Sequence, residues 1–86
     1  MQAGNKVRLR IPTLFWANQS IQILDPAVSG AGIPQGASGT IVEIDTINNR
    51  ILLELSWNPS NVRGMDERVS IWVKREIMGS FEIINS

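Results

Sequence analysis

Cysteine, histidine and tyrosine are all absent from this chain. Without cysteine there are no disulfides, no thiolate nucleophile and no cysteine-ligated zinc. A secreted domain of 86 residues would often need such staples, so a reducing cytoplasmic setting is expected. Without histidine the usual general base and the commonest metal ligand are missing. Any catalysis would fall to carboxylates, lysines and hydroxyls, and the expectation is a protein that is not an enzyme, with no catalytic residues, no cofactor and no metal.

Charge of one sign is also missing. Eight basic residues face eight acidic ones, whereas a chain that lives on nucleic-acid phosphates carries a clear basic excess. The balance is uneven, since Lys6, Arg8 and Arg10 stand against Asp25 alone in residues 1–37 and acids predominate thereafter. No apolar run approaches the roughly 18–20 residues needed to cross a bilayer as a helix. Lys6, Arg8 and Arg10 occupy the stretch where a secretion signal needs its apolar core, so no leader is expected. A hydrophobic share of 43% suits a folded globular domain rather than a disordered tail. The length suits a single domain spanning 1–86.

What is present is alternation. Lys6-Val7-Arg8-Leu9-Arg10-Ile11 puts three apolar side chains on one face and three cations on the other, the pattern of a half-buried strand closed by Pro12. Residues 12–37 form a long excursion. It holds an apolar knot at Leu14-Phe15-Trp16, a second apolar stretch at Ile21-Gln22-Ile23-Leu24, and a glycine-rich stretch after Asp25-Pro26. Its first half is expected to fold back on the domain, because a structureless loop of that length is unusual in a small one.

Gly36-Ala37-Ser38-Gly39-Thr40-Ile41-Val42 leads into a second strand, from Gly39 to Asp45, with Thr40, Val42 and Ile44 assigned to the core face. Asn48-Asn49 suits a tight turn, because asparagine tolerates positive φ. The third strand, Arg50 to Trp57, directs Ile51, Leu53, Leu55 and Trp57 inward. A fourth, Val69 to Lys74, directs Val69, Ile71 and Val73 inward and Trp72 outward. Residues 75–79 read as one helical or 3₁₀ turn, and Phe81 to Ile84 as a last strand with Ile83 inward. Val7, Leu9, Val42, Ile44, Leu53, Leu55, Ile71, Val73 and Ile83 are thus the expected buried set.

Five short strands, a long first loop, a tight central hairpin and a 3₁₀ turn before the last strand describe an all-β, five-stranded SH3-like barrel. An OB-like barrel is the alternative. It usually places a helix between strands three and four, where residues 58–68 carry turn signals instead. The opening Gly4-Asn5-Lys6-Val7-Arg8-Leu9 resembles the Gly-Asp-Arg-Val-Arg start of many SH3-like modules. Gly36 to Val42 resembles their Gly-x-x-Gly-x-Val second strand. The long excursion between them is similar to that of small cyanobacterial and chloroplast docking barrels. These are the regulator that binds a photosynthesis-controlling sensor kinase, the variable chain of ferredoxin–thioredoxin reductase, and the stromal barrel subunits of photosystem I and the NDH complex. The resemblance implies a non-catalytic protein that works by docking. Asn5 stands where those modules usually carry aspartate, and residues 58–68 are longer than their counterparts.

The glycine-rich stretch 30–39 lacks the following lysine and helix of a phosphate cradle and reads as a flexible loop. Asp66-Glu67 and the other carboxylates lack the spacing of a metal loop. Lys6, Arg8 and Arg10 form a basic row that could meet an anionic partner. Outward carboxylates on the neighbouring strands, Glu43, Asp45 and Glu82, offer cross-strand pairing instead. Phe15, Trp16 and Trp72 are the candidate protein-binding residues, since tryptophan is enriched at interface hot spots. The alternative is that the first loop covers Trp72. The expected partner is therefore another protein, with the chain acting as a small subunit or regulator of a cytoplasmic assembly. A nucleic-acid-binding small barrel and an accessory subunit completing a partner's active site are the other readings. Membrane insertion and a small-molecule ligand are not expected.

Overall fold

The structure is a computed structural model that describes residues 1–14, 21–23, 32–58 and 67–84. Its elements run β1 (Lys6–Leu9), β2 (Thr13–Leu14), β3 (Ile21–Ile23), β4 (Ile33–Pro34), β5 (Ser38–Asp45), β6 (Arg50–Trp57), β7 (Glu67–Lys74), a 3₁₀ turn (Arg75–Ser80) and β8 (Phe81–Ile84). Six of the strands form one antiparallel sheet in the order β3-β7-β6-β5-β1-β8, and β2 pairs with β4 in a small separate ladder. The protein is all-β among the described residues. The five longer runs of alternation became β1, β5, β6, β7 and β8, and the excursion contributed three short strands of its own. One of these, β3, lies against β7 with Ile21, Gln22 and Ile23 opposite Val73, Trp72 and Ile71.

Alternation works here because successive side chains of a strand face opposite sides of the sheet. The inner face is built from cross-strand rows. Ile41, Leu53 and Ile71 form one, and Ile44, Ile51 and Val73 another. Val7, Leu9, Ile33, Ile41, Leu53, Ile71 and Val73 are at most 1% exposed. Burying each such side chain contributes about 1.5–3 kcal/mol. Ile11, Ile44, Trp57 and Ile77 pack against this cluster from its margin.

Three expectations need correction. The core face of β5 is carried by Ile41 and Ile44, not by Thr40, Val42 and Ile44. Between the pairs Ile41–Leu53 and Glu43–Leu52, β5 takes two steps while β6 takes one. Val42 is the extra residue of a β-bulge, so it is turned outward and left 47% exposed. The bulge reverses the phase of the strand halfway along. Ile83 is likewise exposed rather than buried. It shares a row with Val7, but β8 ends the sheet and Ile83 has a strand neighbour on one side only.

The third correction concerns 30–39, which is not a plain loop. Ile33 and Ala37 are fully buried, Gly36 makes the turn between β4 and β5 at φ +90°, and its amide donates to the Leu9 carbonyl at 3.0 Å. Only Gly30 and Ala31 of that stretch fall outside the described residues.

Gly39 has a different task. It stands between Val7 and Leu55 in a cross-strand row, and a β-carbon there would come within 1.7 Å of the Glu54 carbonyl oxygen. β5 and β6 can approach so closely only because the side chain is missing.

Candidate docking surface

The outer face of the sheet carries the residues of functional interest. At its β6–β7 end, Leu52 lies opposite Trp72, and Arg50 opposite Lys74. Trp72 points outward, as its phase against Val69, Ile71 and Val73 requires, and it is half-buried. Among the described residues, a cation packs on the ring. The Arg50 guanidinium sits 4.2 Å from the Trp72 ring centroid, within the range at which the negative face of an indole attracts it.

Arg50 is itself held in place. Its Nε donates to Asp45 Oδ2 at 3.0 Å across the start of the β5–β6 turn. The same carboxylate closes the turn by accepting from the backbone amides of Ile47 and Asn48, both at 3.1 Å, and from Asn48 Nδ2 at 2.8 Å. Asn49 completes the turn at φ 56°, a left-handed conformation that asparagine tolerates better than most residues. The Asn49 carbonyl accepts from the Arg75 amide at 3.1 Å, which ties the turn to the 3₁₀ segment. Asn48 side-chain and backbone donors, with Arg50, lower the Asp45 pKa from 3.8 to about 2. Asp45, Arg50 and Trp72 therefore form a fixed relay from turn to ring. Ile47, at the tip of this turn, is 92% exposed.

The basic row occupies the opposite end of the same face. Lys6 and Arg8 project outward from β1, with Arg10 just beyond it, and all three are exposed. Each has a structural use. Lys6 Nζ donates to Thr40 Oγ1 at 3.1 Å. Arg8 forms an ion pair with Glu82 of β8, its Nε at 2.6 Å from Oε1. Arg10 Nε donates to the Gly79 carbonyl at 3.0 Å, which ties β1 to the 3₁₀ turn. Cross-strand pairing thus holds for Glu82. Asp45 instead serves Arg50 on its own hairpin, and Glu43 lies opposite Leu52. Exposed pairs of this kind contribute about 0–1 kcal/mol each.

Phe15 and Trp16 lie outside the described residues, as does the whole connection from 59 to 66, Asp66 included. Among the described residues no group of three or more histidine, cysteine, aspartate or glutamate side chains is placed to hold a metal ion. No helix there is long and apolar enough to cross a membrane.

Sequence reasoning placed Trp72 on the outside but missed Arg50 and Asp45 as its support. The available signal was the spacing. Asp45 and Arg50 flank a four-residue turn as the last pair of the hairpin, and Arg50 shares its outward phase with Leu52. Comparison with family models, with curated proteins and with solved structures finds no match to this chain.

Proposed function

We propose that this chain is an SH3-like β-barrel that works by docking, a non-catalytic protein-interaction module serving as a small subunit or regulator of a larger cytoplasmic assembly. The run β8-β1-β5-β6-β7 within the sheet, with a 3₁₀ turn leading into β8, supports the barrel reading. It brings the first strand between the second and the last, as such barrels do. The observation that carries the docking reading is the outward Trp72, flanked by Leu52 and stacked by Arg50. Tryptophan and arginine are the side chains most enriched at interface hot spots, and a ring held rigidly before binding loses little freedom on binding.

The test compares the intact protein with Trp72→Ala in affinity capture from its native cells, with thermal unfolding of both measured alongside. A partner that is retained by the wild type and lost with a still-folded Trp72→Ala supports the reading. Equal retention by both excludes Trp72 as the anchor.

The nucleic-acid alternative draws less support. Arg8 is neutralised by Glu82 and Arg10 is tied to the Gly79 carbonyl, so the row on β1 is not a continuous stripe of free cations for phosphate contacts. Sub-micromolar binding to single- or double-stranded probes with a steep salt slope would reverse this order of preference.

A further inference from the structure

A groove of about 510 Å³ crosses the outer face of the sheet at the end away from Trp72. Its lining includes Lys6, Ser38, Thr40, Glu54, Ser56 and Arg68. The pairing registers explain why it is there. Arg8, Ser38, Ser56 and Arg68 lie in one row across four strands, and Ile84, Lys6, Thr40, Glu54 and Ser70 lie in the next. The centre of the first row is two serines, whose short side chains leave the middle of the face low. A sheet face that is small in the middle and long-chained at both margins is a trough. Cations stand on opposite walls, Lys6 from β1 and Arg68 from β7.

The groove's polar groups are under-used. Among the described residues, the side chains of Arg68, Ser38, Ser56 and Glu54 make no hydrogen bond or ion pair. Lys6 Nζ spends one of its three donors on Thr40. Arg8, by contrast, is already neutralised by Glu82 just outside the groove. Lys6 and Arg68 thus stand in the trough without a carboxylate partner, over a floor of hydroxyls that can donate as well as accept.

From this arrangement we propose that the groove is a binding site for an oxyanion, a phosphate or carboxylate group carried by a small polar ligand. Arg68 and Lys6 grip the anion from two sides, and the hydroxyls of Ser38 and Ser56 complete its hydrogen bonds from below. A guanidinium opposite an ammonium suits such a group, because Arg68 supplies a planar fork and Lys6 a movable point charge. Glu54, the one carboxylate of the lining among the described residues, selects a ligand with a hydroxyl or amino donor next to the anion and disfavours a bare polyanion. The site is separate from the Trp72 surface and does not depend on the docking reading. It also departs from the expectation, drawn from composition, that no small molecule binds.

The test is a two-dimensional amide NMR titration of the full chain at constant ionic strength, using inorganic phosphate, glycerol phosphate and acetate as separate probes. The expected result is saturable shifts confined to residues 38–40, 54–56 and 68, with dissociation constants on the order of millimolar. Glycerol phosphate should bind more tightly than inorganic phosphate if the ligand is a phosphate ester. Acetate should bind more tightly than either if it is a carboxylate. Arg68→Gln should weaken binding about fivefold or more, as loss of an exposed charge-assisted contact would. Arg75→Gln, which removes an exposed cation outside the groove, should leave binding unchanged. Lys6→Gln provides a second variant should Arg68→Gln fail to fold. Shifts that never saturate, that spread over all surface cations, or that respond equally to Arg68→Gln and Arg75→Gln would overturn the proposal.

Discussion

The Arg50 guanidinium rests 4.2 Å from the centre of the Trp72 ring, and it reaches that position because Asp45 holds its Nε at 3.0 Å. A side chain on β6 thus reads the conformation of the β5–β6 turn and passes it to an aromatic ring on β7. If the stack contributes as an exposed cation–π pair, a double-mutant cycle with Arg50→Ala and Trp72→Ala should return a coupling of about 0.5–1 kcal/mol. Trp72→Ala alone should leave the domain folded, with a loss of about 1–2 kcal/mol from the half-buried ring and its stack, read from the denaturant midpoint. It should weaken partner binding by about 2 kcal/mol or more, the scale of a hot spot. A loss of stability well above that range would mean the ring is mainly a packing element.

Asp45 ties the same relay to pH. Its pKa falls from 3.8 to about 2 because the folded turn supplies donors only to the ionised form. A folded-state pKa below the unfolded one adds stability that is fully present above the unfolded value. That stability is lost as pH drops through the folded value. The unfolding midpoint should therefore fall between pH 3.8 and about 2 for the wild type. Asp45→Asn should be less stable than the wild type at neutral pH, and the difference between the two should shrink across that acid window. A constant difference down to the lowest pH would show that Asp45 does not act through its charge.

Two glycines offer a matched contrast. At Gly39 an added β-carbon meets the Glu54 carbonyl oxygen at 1.7 Å, while at Gly79 it meets nothing within 4 Å, and Gly79 lies outside the positive-φ region. Gly39→Ala must push two paired strands apart, so a loss of about 4 kcal/mol or more, or failure to fold, is expected. Gly79→Ala should be neutral or stabilising by up to about 1 kcal/mol, through the lower entropy of the unfolded chain. Thermal unfolding of the two variants side by side distinguishes the effects.

The bulge in β5 makes a similarly sharp contrast between neighbours. Ile41 is fully buried, and Val42 is 47% exposed. Ile41→Ala should cost about 2–5 kcal/mol, the range for truncating a buried aliphatic side chain. Val42→Ala should stay within about 0.5 kcal/mol. If the two costs were reversed, β5 would alternate without interruption and the bulge would be absent in solution.

Strand identity was legible in the sequence wherever the alternation was unbroken. β6 begins at Arg50 and ends at Trp57, and β8 runs from Phe81 to Ile84, at the residues where the pattern starts and stops. The inward sets Val7–Leu9, Leu53–Leu55 and Ile71–Val73 and the outward Trp72 all followed from period two, because that periodicity is a property of the extended backbone itself. The 3₁₀ turn after Lys74 was visible as a stretch too short for an α-helix. The turn at Asn48-Asn49 was visible because only a few residue types accept positive φ.

The remainder was decided between strands. A bulge is defined against a partner, so nothing local to Ile41-Val42-Glu43 announced that the phase would reverse there. Ile83 has the phase of a core residue, and only its place on an edge strand left it exposed. Arg50 met Trp72 because the pairing register of β6 with β7 set them on adjacent rows. Arg68, Ser56, Ser38 and Lys6, spread over 63 positions of sequence, line one trough for the same reason. Alternation assigns each side chain to a face. Register, fixed by turn lengths, bulges and close backbone approaches such as Gly39, decides which side chains share that face as neighbours, and those neighbours make the surfaces proposed here for binding.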